Sequence, residues 1–254
     1  MARLKAALLF LAVAATAHAE WTILSADSEP GRTGVVHRHL VLEDSQTNES
    51  ATIDLALFST KSCTLRVIDQ PAPQRSDLAQ VMRQEGCLAG INGGYFDPNL
   101  APLGLLVADR KMIAPLQKAR LLTGVLLASP RGLQILRIRE FSRQQGLDAA
   151  IQCGPFLVDL SQRVRGLEAT RTARRTFAAV GGVDHAALGF CSDVSLSDLS
   201  KILATTRLAE DFKIHRALNF DGGSSSAFWF AARGAAYSIP EQKTVRDFVA
   251  VVAR

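Results

Sequence analysis

Apolar and polar residues alternate in short runs along most of this chain, a pattern that predicts strands. Ile53, Leu55 and Leu57 share one face of the run 53–58, so a half-buried strand is expected there. The runs 34–42, 63–68, 103–107, 121–128 and 133–138 read the same way. Turns are expected at Ser28-Glu29-Pro30-Gly31, Asp109-Arg110 and Ser129-Pro130-Arg131-Gly132, and Gln70-Pro71-Ala72-Pro73 breaks the pattern. The run 151–158 predicts a strand interrupted at Gly154-Pro155, which suggests an edge, a bulge or a strand start. Runs 176–180 and 186–190 flank a turn and predict a hairpin, and 245–252 closes as a last strand. A helical period occurs clearly only twice. Ser76 is the expected N-cap of the first helix, with Asp77 in its first turn, Leu78, Val81 and Met82 on one face, and Gly86 ending it. Ser195 or Ser197 should cap the second, which runs to about Arg207 with Leu196, Leu199, Ile202 and Leu203 as its apolar stripe. Residues 141–150 suggest a short helix or turn. With no repeat or linker, the expected class is α+β: a single domain of mixed or antiparallel sheets with a few helices.

Two strands end in unusual turns. The buried-looking run 87–91 enters Asn92-Gly93-Gly94-Tyr95-Phe96-Asp97-Pro98. The run Ala217-Leu218-Asn219-Phe220 enters Asp221-Gly222-Gly223, followed by Ser224, Ser225 and Ser226. Glycine admits a ligand close to the main chain, and its N–H groups can hold an anion. Two carboxylates, Asp97 and Asp221, could divide acid and base or nucleophile work at a sugar acetal. They could equally hold a hard cation, calcium or magnesium. The plain alternative is turn chemistry, in which Asp and Gly are ordinary. Arg174-Arg175-Thr176 adds planar paired donors suited to a phosphate, unless it is simply a solvated basic loop near Arg171. The three serines lack a G-x-S-x-G frame, so they are expected to hydrogen-bond substrate or support the turn. His37 and His39 alternate on one strand without a third ligand, and a solvent-facing position is expected.

Composition adds destination and partners. Arg3 and Lys5 precede the apolar run Leu8 to Ala15 and the small-x-small triplet Ala17-His18-Ala19. Residues 1–19 thus read as a signal peptide cut after Ala19, directing residues 20–254 to the periplasm or outside. No other stretch is long and apolar enough to span a bilayer. Past that peptide 27 basic residues face 24 acidic ones, a balance too even to suggest a nucleic-acid partner. Cys63, Cys87, Cys153 and Cys191 make an even count in an exported chain, which predicts disulfides; with no CxxC pair, a zinc site is not expected.

The stretches INGGYFDP at 91–98 and LNFDGGSSS at 218–226 resemble the two hallmark motifs of the phosphodiester glycosidase family. Pro102-Leu103-Gly104, Cys153-Gly154-Pro155-Phe156-Leu157, Arg175-Thr176 with 178–181, and the segment 195–203 follow in the family's order. The likeness spans about 85–252; Ser224 replaces a usual third glycine, and Phe177 and Asp109-Arg110 also depart from the pattern. The resemblance implies an α+β fold and hydrolysis of a sugar C1–O–phosphate link, on a glycan or sugar-phosphate substrate. It implies that Arg175 binds phosphate and that Asp97 and Asp221 act as acid, base or cation ligands. Asn92 and Asn219 would orient substrate, with Gly93, Gly94, Gly222, Gly223, Ser224 and Ser225 lining the pocket. The same pocket could belong to a non-catalytic glycan- or phosphoglycan-binding protein.

Overall fold

The structure is a computed structural model describing residues 21–71, 75–142 and 146–254; the expected signal peptide lies outside them. The chain begins β1 (Trp21–Pro30), β2 (Val36–Asp44), β3 (Ser50–Ser59), β4 (Cys63–Asp69), α1 (Leu78–Gln84) and β5 (Ala89–Asn92). It continues β6 (Leu106–Ala108), β7 (Lys111–Ala114), β8 (Gly124–Ser129), β9 (Gly132–Arg137), β10 (Ala149–Cys153), β11 (Phe156–Asp159) and β12 (Gln162–Arg163). It closes with β13 (Ala173–Gly181), β14 (His185–Val194), α2 (Leu196–Thr205), β15 (Ile214–Asn219), β16 (Phe228–Phe230), β17 (Tyr237–Ile239) and β18 (Asp247–Ala253).

These strands form three sheets, ordered β1-β2-β3-β14-β13-β15-β11-β12, β7-β6-β10-β8-β9 and β17-β16-β5-β18-β4. Each pairing among the described strands is antiparallel, so the sheets are not mixed. Strand dominates and only two α-helices occur among the described residues, so the α+β expectation holds only roughly.

Side-chain alternation decides which face goes where. In β3, Ala56 and Phe58 point into a core shared by all three sheets, while Ile53 and Leu55 point the other way, toward α2. In β18, Val249 and Val251 enter the shared core and Phe248 and Ala250 pack toward α1. In β8, Leu126 and Ala128 face the shared core and Val125 and Leu127 face an outer cluster with Leu105 and Ala150. The expected half-buried strand at 53–58 is therefore covered on both faces.

Several local expectations need correction. Asp77, not Ser76, caps α1, its carboxylate accepting from Gln80 N at 2.7 Å. Ser195 caps α2 as expected, and that helix ends at Thr205. The run 151–158 is two strands in different sheets, β10 and β11, joined at a cis Gly154–Pro155 peptide. Of the short helix or turn expected at 141–150, the described part has a turn residue at Gly146 and then the start of β10. Strand β7 was not foreseen, because its edge position leaves Lys111, Met112 and Ile113 exposed and erases the alternation. His37 is buried, not solvent-facing. Its Nε2 and His39 Nδ1 reach the same Asp54 oxygen at 2.8 and 2.9 Å, and the His37 ring packs 4.5 Å from Tyr237. A buried carboxylate needs donors, and the two imidazoles supply them. The four cysteines are buried free thiols, not disulfides. Cys191 and Cys87 belong to the clusters under α2 and α1, apart from Cys63 and Cys153 in the shared core.

The hairpin β13–β14 carries a tight joint. Phe177 lies directly opposite Gly189, and a Cβ added at Gly189 would stand 2.3 Å from the Phe177 ring. Gly189→Ala should therefore cost about 1–3 kcal/mol by overpacking. Urea unfolding would measure it, and an unchanged midpoint would show that the ring moves aside freely.

Candidate active site

The two glycine-rich turns meet where the three sheets converge. Strand β5 delivers Asn92, β15 delivers Asn219, β10 delivers Cys153 and Gly154, and β18 begins at Asp247. Asn92 is fully buried, and its side chain joins the parts. Its Oδ1 accepts from Thr176 Oγ1 at 2.8 Å and from Ala227 N at 3.1 Å, while its Nδ2 donates to the Asp221 carbonyl at 2.8 Å. Thr176 Oγ1 also lies 3.1 Å from that carbonyl. The backbones touch too, with Asp221 N donating to Gly93 O at 3.4 Å.

Asp247 underlies the first turn. Its Oδ1 accepts from Gly94 N at 2.8 Å and its carbonyl accepts from Gly93 N at 2.7 Å. Only glycine fits at 93, since a Cβ there would lie 1.8 Å from Asp247 Oδ1. Burial pushes the Asp247 carboxyl up to about 7, with nearby Asp69 and Asp221 adding to the rise and Gly94 N–H and Arg246 opposing it.

Asp221 is half-buried in the second turn, and its Oδ1 accepts from Gly222 N at 3.0 Å. Burial raises its carboxyl pKa, against the Ser225 hydroxyl, Lys243 and Gly222 N–H, which favour the charged form. Ser225 thus lies near the carboxylate, although its hydroxyl makes no well-formed hydrogen bond. Gly223 has φ +66°, a left-handed conformation that suits glycine. Gly222 is shielded by Arg175: a Cβ there would stand 3.5 Å from Arg175 Nη1.

Arg175 is buried, and it donates to carbonyls: Nε to Val194 O at 3.2 Å and Nη2 to Arg171 O at 2.9 Å. No carboxylate pairs with it among the described residues. Burial lowers its pKa, partly offset by Tyr95 and Glu168. Its neighbour Arg174 has a different task, donating from Nη2 to Ser226 O at 2.6 Å and Pro240 O at 2.7 Å, which pins the serine turn.

Tyr95 and Asn219 form the third wall. Tyr95 Oη donates to Gly154 O at 2.7 Å, and Asn219 Nδ2 donates to Phe220 O at 2.6 Å and Gly154 O at 3.1 Å. Buried polar atoms are normally paired. The exceptions here include Asn219 Oδ1, Ser225 Oγ, Ser226 Oγ and Asp247 Oδ2, all in this one region.

A sequence model of the phosphodiester glycosidase family matches residues 85–252. The chain belongs to this family. The matched region contains both turns, Arg175 and Asp247, and leaves β1 to β4 outside. No curated protein matches the chain. Among solved structures it is similar to the zebrafish N-acetylglucosamine-1-phosphodiester alpha-N-acetylglucosaminidase catalytic domain auto-inhibited by pro-peptide. That likeness has 15% identity and a TM-score of 0.61, covering 92% of this chain and 83% of that one. It is also similar to a hypothetical protein from Synechocystis, with 15% identity and a TM-score of 0.62, covering 87% of this chain and 62% of that one. At such identities the likeness to these structures is one of fold.

Within this phosphodiester glycosidase frame, the residues singled out from sequence divide into groups. Asn92, Gly93, Gly94, Asn219, Asp221, Gly222, Arg175 and Ser225 are joined by the contacts above. Asp97 is engaged in its own turn: its Oδ1 accepts from Asn99 N and Ala101 N, each at 2.8 Å. Ser224 offers its carbonyl to Gln242 N at 2.7 Å. No histidine hydrogen-bonds Ser224, Ser225 or Ser226 among the described residues, which gives a serine nucleophile no base. No three His, Cys, Asp or Glu side chains gather as metal ligands among the described residues. Sequence reasoning missed Asp247, Thr176 as the hydroxyl that holds Asn92, and Tyr95. The available signal for Asp247 was a lone carboxylate opening an apolar strand.

Asp247 generates a pH prediction. A carboxyl with a higher pKa folded than unfolded favours the folded state most in its protonated form. Its contribution is complete below its ordinary value of 3.8 and is lost as pH rises through about 7. Unfolding free energy should therefore fall across that window, by up to about 1.4 kcal/mol per pH unit. Asp247→Asn should flatten the slope. Equal slopes in urea titrations of the two proteins would mean that Asp247 does not titrate there.

Proposed function

We propose that this protein is a hydrolase that cleaves the C1–O–phosphate link of a glycosyl-1-phosphodiester, exported to act on an envelope or extracellular glycan. The observation that carries the reading is Arg175, a buried guanidinium that pairs with no carboxylate among the described residues and is pressed against the Asp221-Gly222 turn. A buried cation calls for an anion, and a phosphodiester supplies one of the right shape for paired guanidinium donors.

Asp221 stands beside it, its carboxyl pKa raised by burial, in a position to carry or remove a proton. In the reaction, water adds at the sugar C1 and the C1–O bond breaks. Sugar leaves with a free hydroxyl and the phosphate leaves as a monoester. Arg175 holds the phosphate, and Asp221 takes the proton from the attacking water or gives one to the leaving phosphate oxygen. Asn219 holds the Gly154 carbonyl and, with Tyr95, sets the shape of the wall that the sugar meets. Asp247 holds the Gly93–Gly94 floor. Asp97 shapes the rim through its turn, and its second oxygen is available to substrate. Export rests on residues 1–19, whose sequence has the signal-peptide pattern.

Asp221→Asn should reduce release of reducing sugar from an N-acetylglucosamine-1-phosphodiester by about 10²–10⁴-fold while leaving the circular dichroism spectrum intact. Turnover near that of the parent protein would remove Asp221 from the mechanism. Arg175→Gln should act differently, raising KM for the diester by about tenfold or more as charge-assisted phosphate contacts are lost. A normal KM would take the phosphate away from Arg175. Binding of the diester without any sugar release by the parent protein would identify a binding protein instead.

A further inference from the structure

A second basic feature lies beside the site and is not used by the roles above. A surface groove of about 800 Å³ is lined by Lys118, Arg120, Arg137 and Arg139, with Asp159 as its only carboxylate. That carboxylate is already neutralised, with Arg137 Nε at 2.6 Å and Arg216 Nε at 3.1 Å. Lys118, Arg120 and Arg139 are exposed and have no ion-pair partner among the described residues. Glu140, the nearest acid in sequence, is ion-paired to Arg216 Nη1 at 2.6 Å, with Arg139 adding only a lesser, through-space attraction. The groove therefore presents uncompensated positive charge.

Its position ties it to the active site. Leu122 and Thr123 line the groove, and the same segment packs on Gly154. A Cβ on Gly154 would stand 2.1 Å from Leu121 O and 2.8 Å from Thr123 N. The Gly154 carbonyl is the group that Tyr95 and Asn219 grip. Gln152 fastens the segment from the other side: its Oε1 accepts from Gln117 N at 3.0 Å and its Nε2 donates to Gln117 O at 2.6 Å. The segment 117–123 thus lines the groove and packs on Gly154, whose carbonyl the candidate active site holds.

We propose that this groove binds further phosphates of a polymeric substrate, so that the protein acts on a chain of sugars joined by C1-phosphodiesters. This proposal rests on the hydrolase reading above for the bond that is cut, but not for the binding itself. A single terminal diester needs one anion site, which Arg175 provides. A polymer brings a regular series of negative charges, and a groove with three free cations beside the site matches that series. Exposed cations of this kind act through long-range, salt-screened attraction rather than through fixed geometry. They suit a repeating anion in which each phosphate is bound loosely and the chain can slide.

The test compares two substrates and one variant. The substrates are a synthetic tetramer of N-acetylglucosamine units joined by C1-phosphodiesters, and a single-phosphate methyl diester of the same sugar. The variant carries Lys118→Gln, Arg120→Gln and Arg139→Gln; all three positions are exposed, so the fold should survive, which circular dichroism checks. The ratio of kcat/KM for tetramer over methyl diester should fall about tenfold in the variant. That preference should also shrink as salt is raised. An unchanged ratio overturns the proposal. Calorimetry of the tetramer against the Asp221→Asn protein, with and without the three groove substitutions, decides the matter even if neither diester is cleaved. Weaker binding in the groove variant upholds the groove although the hydrolase reading has failed, and equal binding overturns it. A tetranucleotide that binds as tightly as the sugar-phosphate tetramer overturns the glycan assignment.

Discussion

One buried amide sets the geometry of this molecule's functional end. Strands that stop at a junction of sheets leave backbone donors and acceptors without ladder partners, and buried backbone groups must be paired somewhere. The Asn92 side chain does that pairing. It takes the Ala227 N–H on one side and gives to the Asp221 carbonyl on the other, while the Thr176 hydroxyl saturates its remaining acceptor. The side chain thus acts as a short piece of artificial strand between sheets. Because both of its ends are fixed, the two glycine turns have one relative position, and the Asp221 carboxylate is aimed by the same bonds.

The electrostatics follow from that closure. Bringing three sheet ends together excludes water from groups that would ordinarily be solvated. Asp221 and Asp247 are both pushed toward the neutral form, and Arg175 is pushed in the same direction. A fold selected for stability alone would pair these charges with one another, because an unpaired buried charge is costly. Here carboxylates and guanidinium are kept apart by glycine and by backbone bonds. The contrast lies elsewhere in the same molecule: Arg246 and Asp69 pair at 2.7 Å, and Arg216 engages Glu140 and Asp159. Pairing holds these charges elsewhere, and its absence at the junction among the described residues supports the proposed role of the unpaired groups.

Much of the fold could be read from the sequence because the period of two is strong wherever a strand has two unlike faces. Ile53, Leu55 and Leu57 announced β3, and Leu199, Ile202 and Leu203 announced α2. The reading failed where a neighbour supplied the missing half of the pattern. Edge strand β7 shows three exposed residues in a row, Lys111, Met112 and Ile113, because it lies at the rim of its sheet. His37 looks polar and outward, but the Asp54 carboxylate on the adjacent strand draws it inside. The run across Gly154-Pro155 looked like one strand because sequence cannot report that its halves join different sheets. The even cysteine count suggested bridges, yet the cysteines are spread across three separate apolar clusters.

The candidate site was legible to the extent that its chemistry is local. Asp221 with its glycines, Asn92 and Arg175 stand in short contiguous stretches, and the structure joins them. Asp97 and Asp247 show where locality ends. Both are aspartates near the Gly93-Gly94 pair, one in sequence and the other only in space. What an aspartate does depends on which backbone donors reach it first. Asp97 is followed by Pro98, which lacks an N–H, and then by Asn99 and Ala101, whose N–H groups fold back onto the carboxylate and close a turn. Asp247 opens a buried strand, so its own neighbours are committed to the ladder and its carboxylate is left for the glycine amide across the junction. The sequence cue was therefore present in both cases, as a proline after one aspartate and an apolar run after the other. Composition around a motif identifies the residues, but the surrounding hydrogen-bond supply decides which of them remain free to do chemistry.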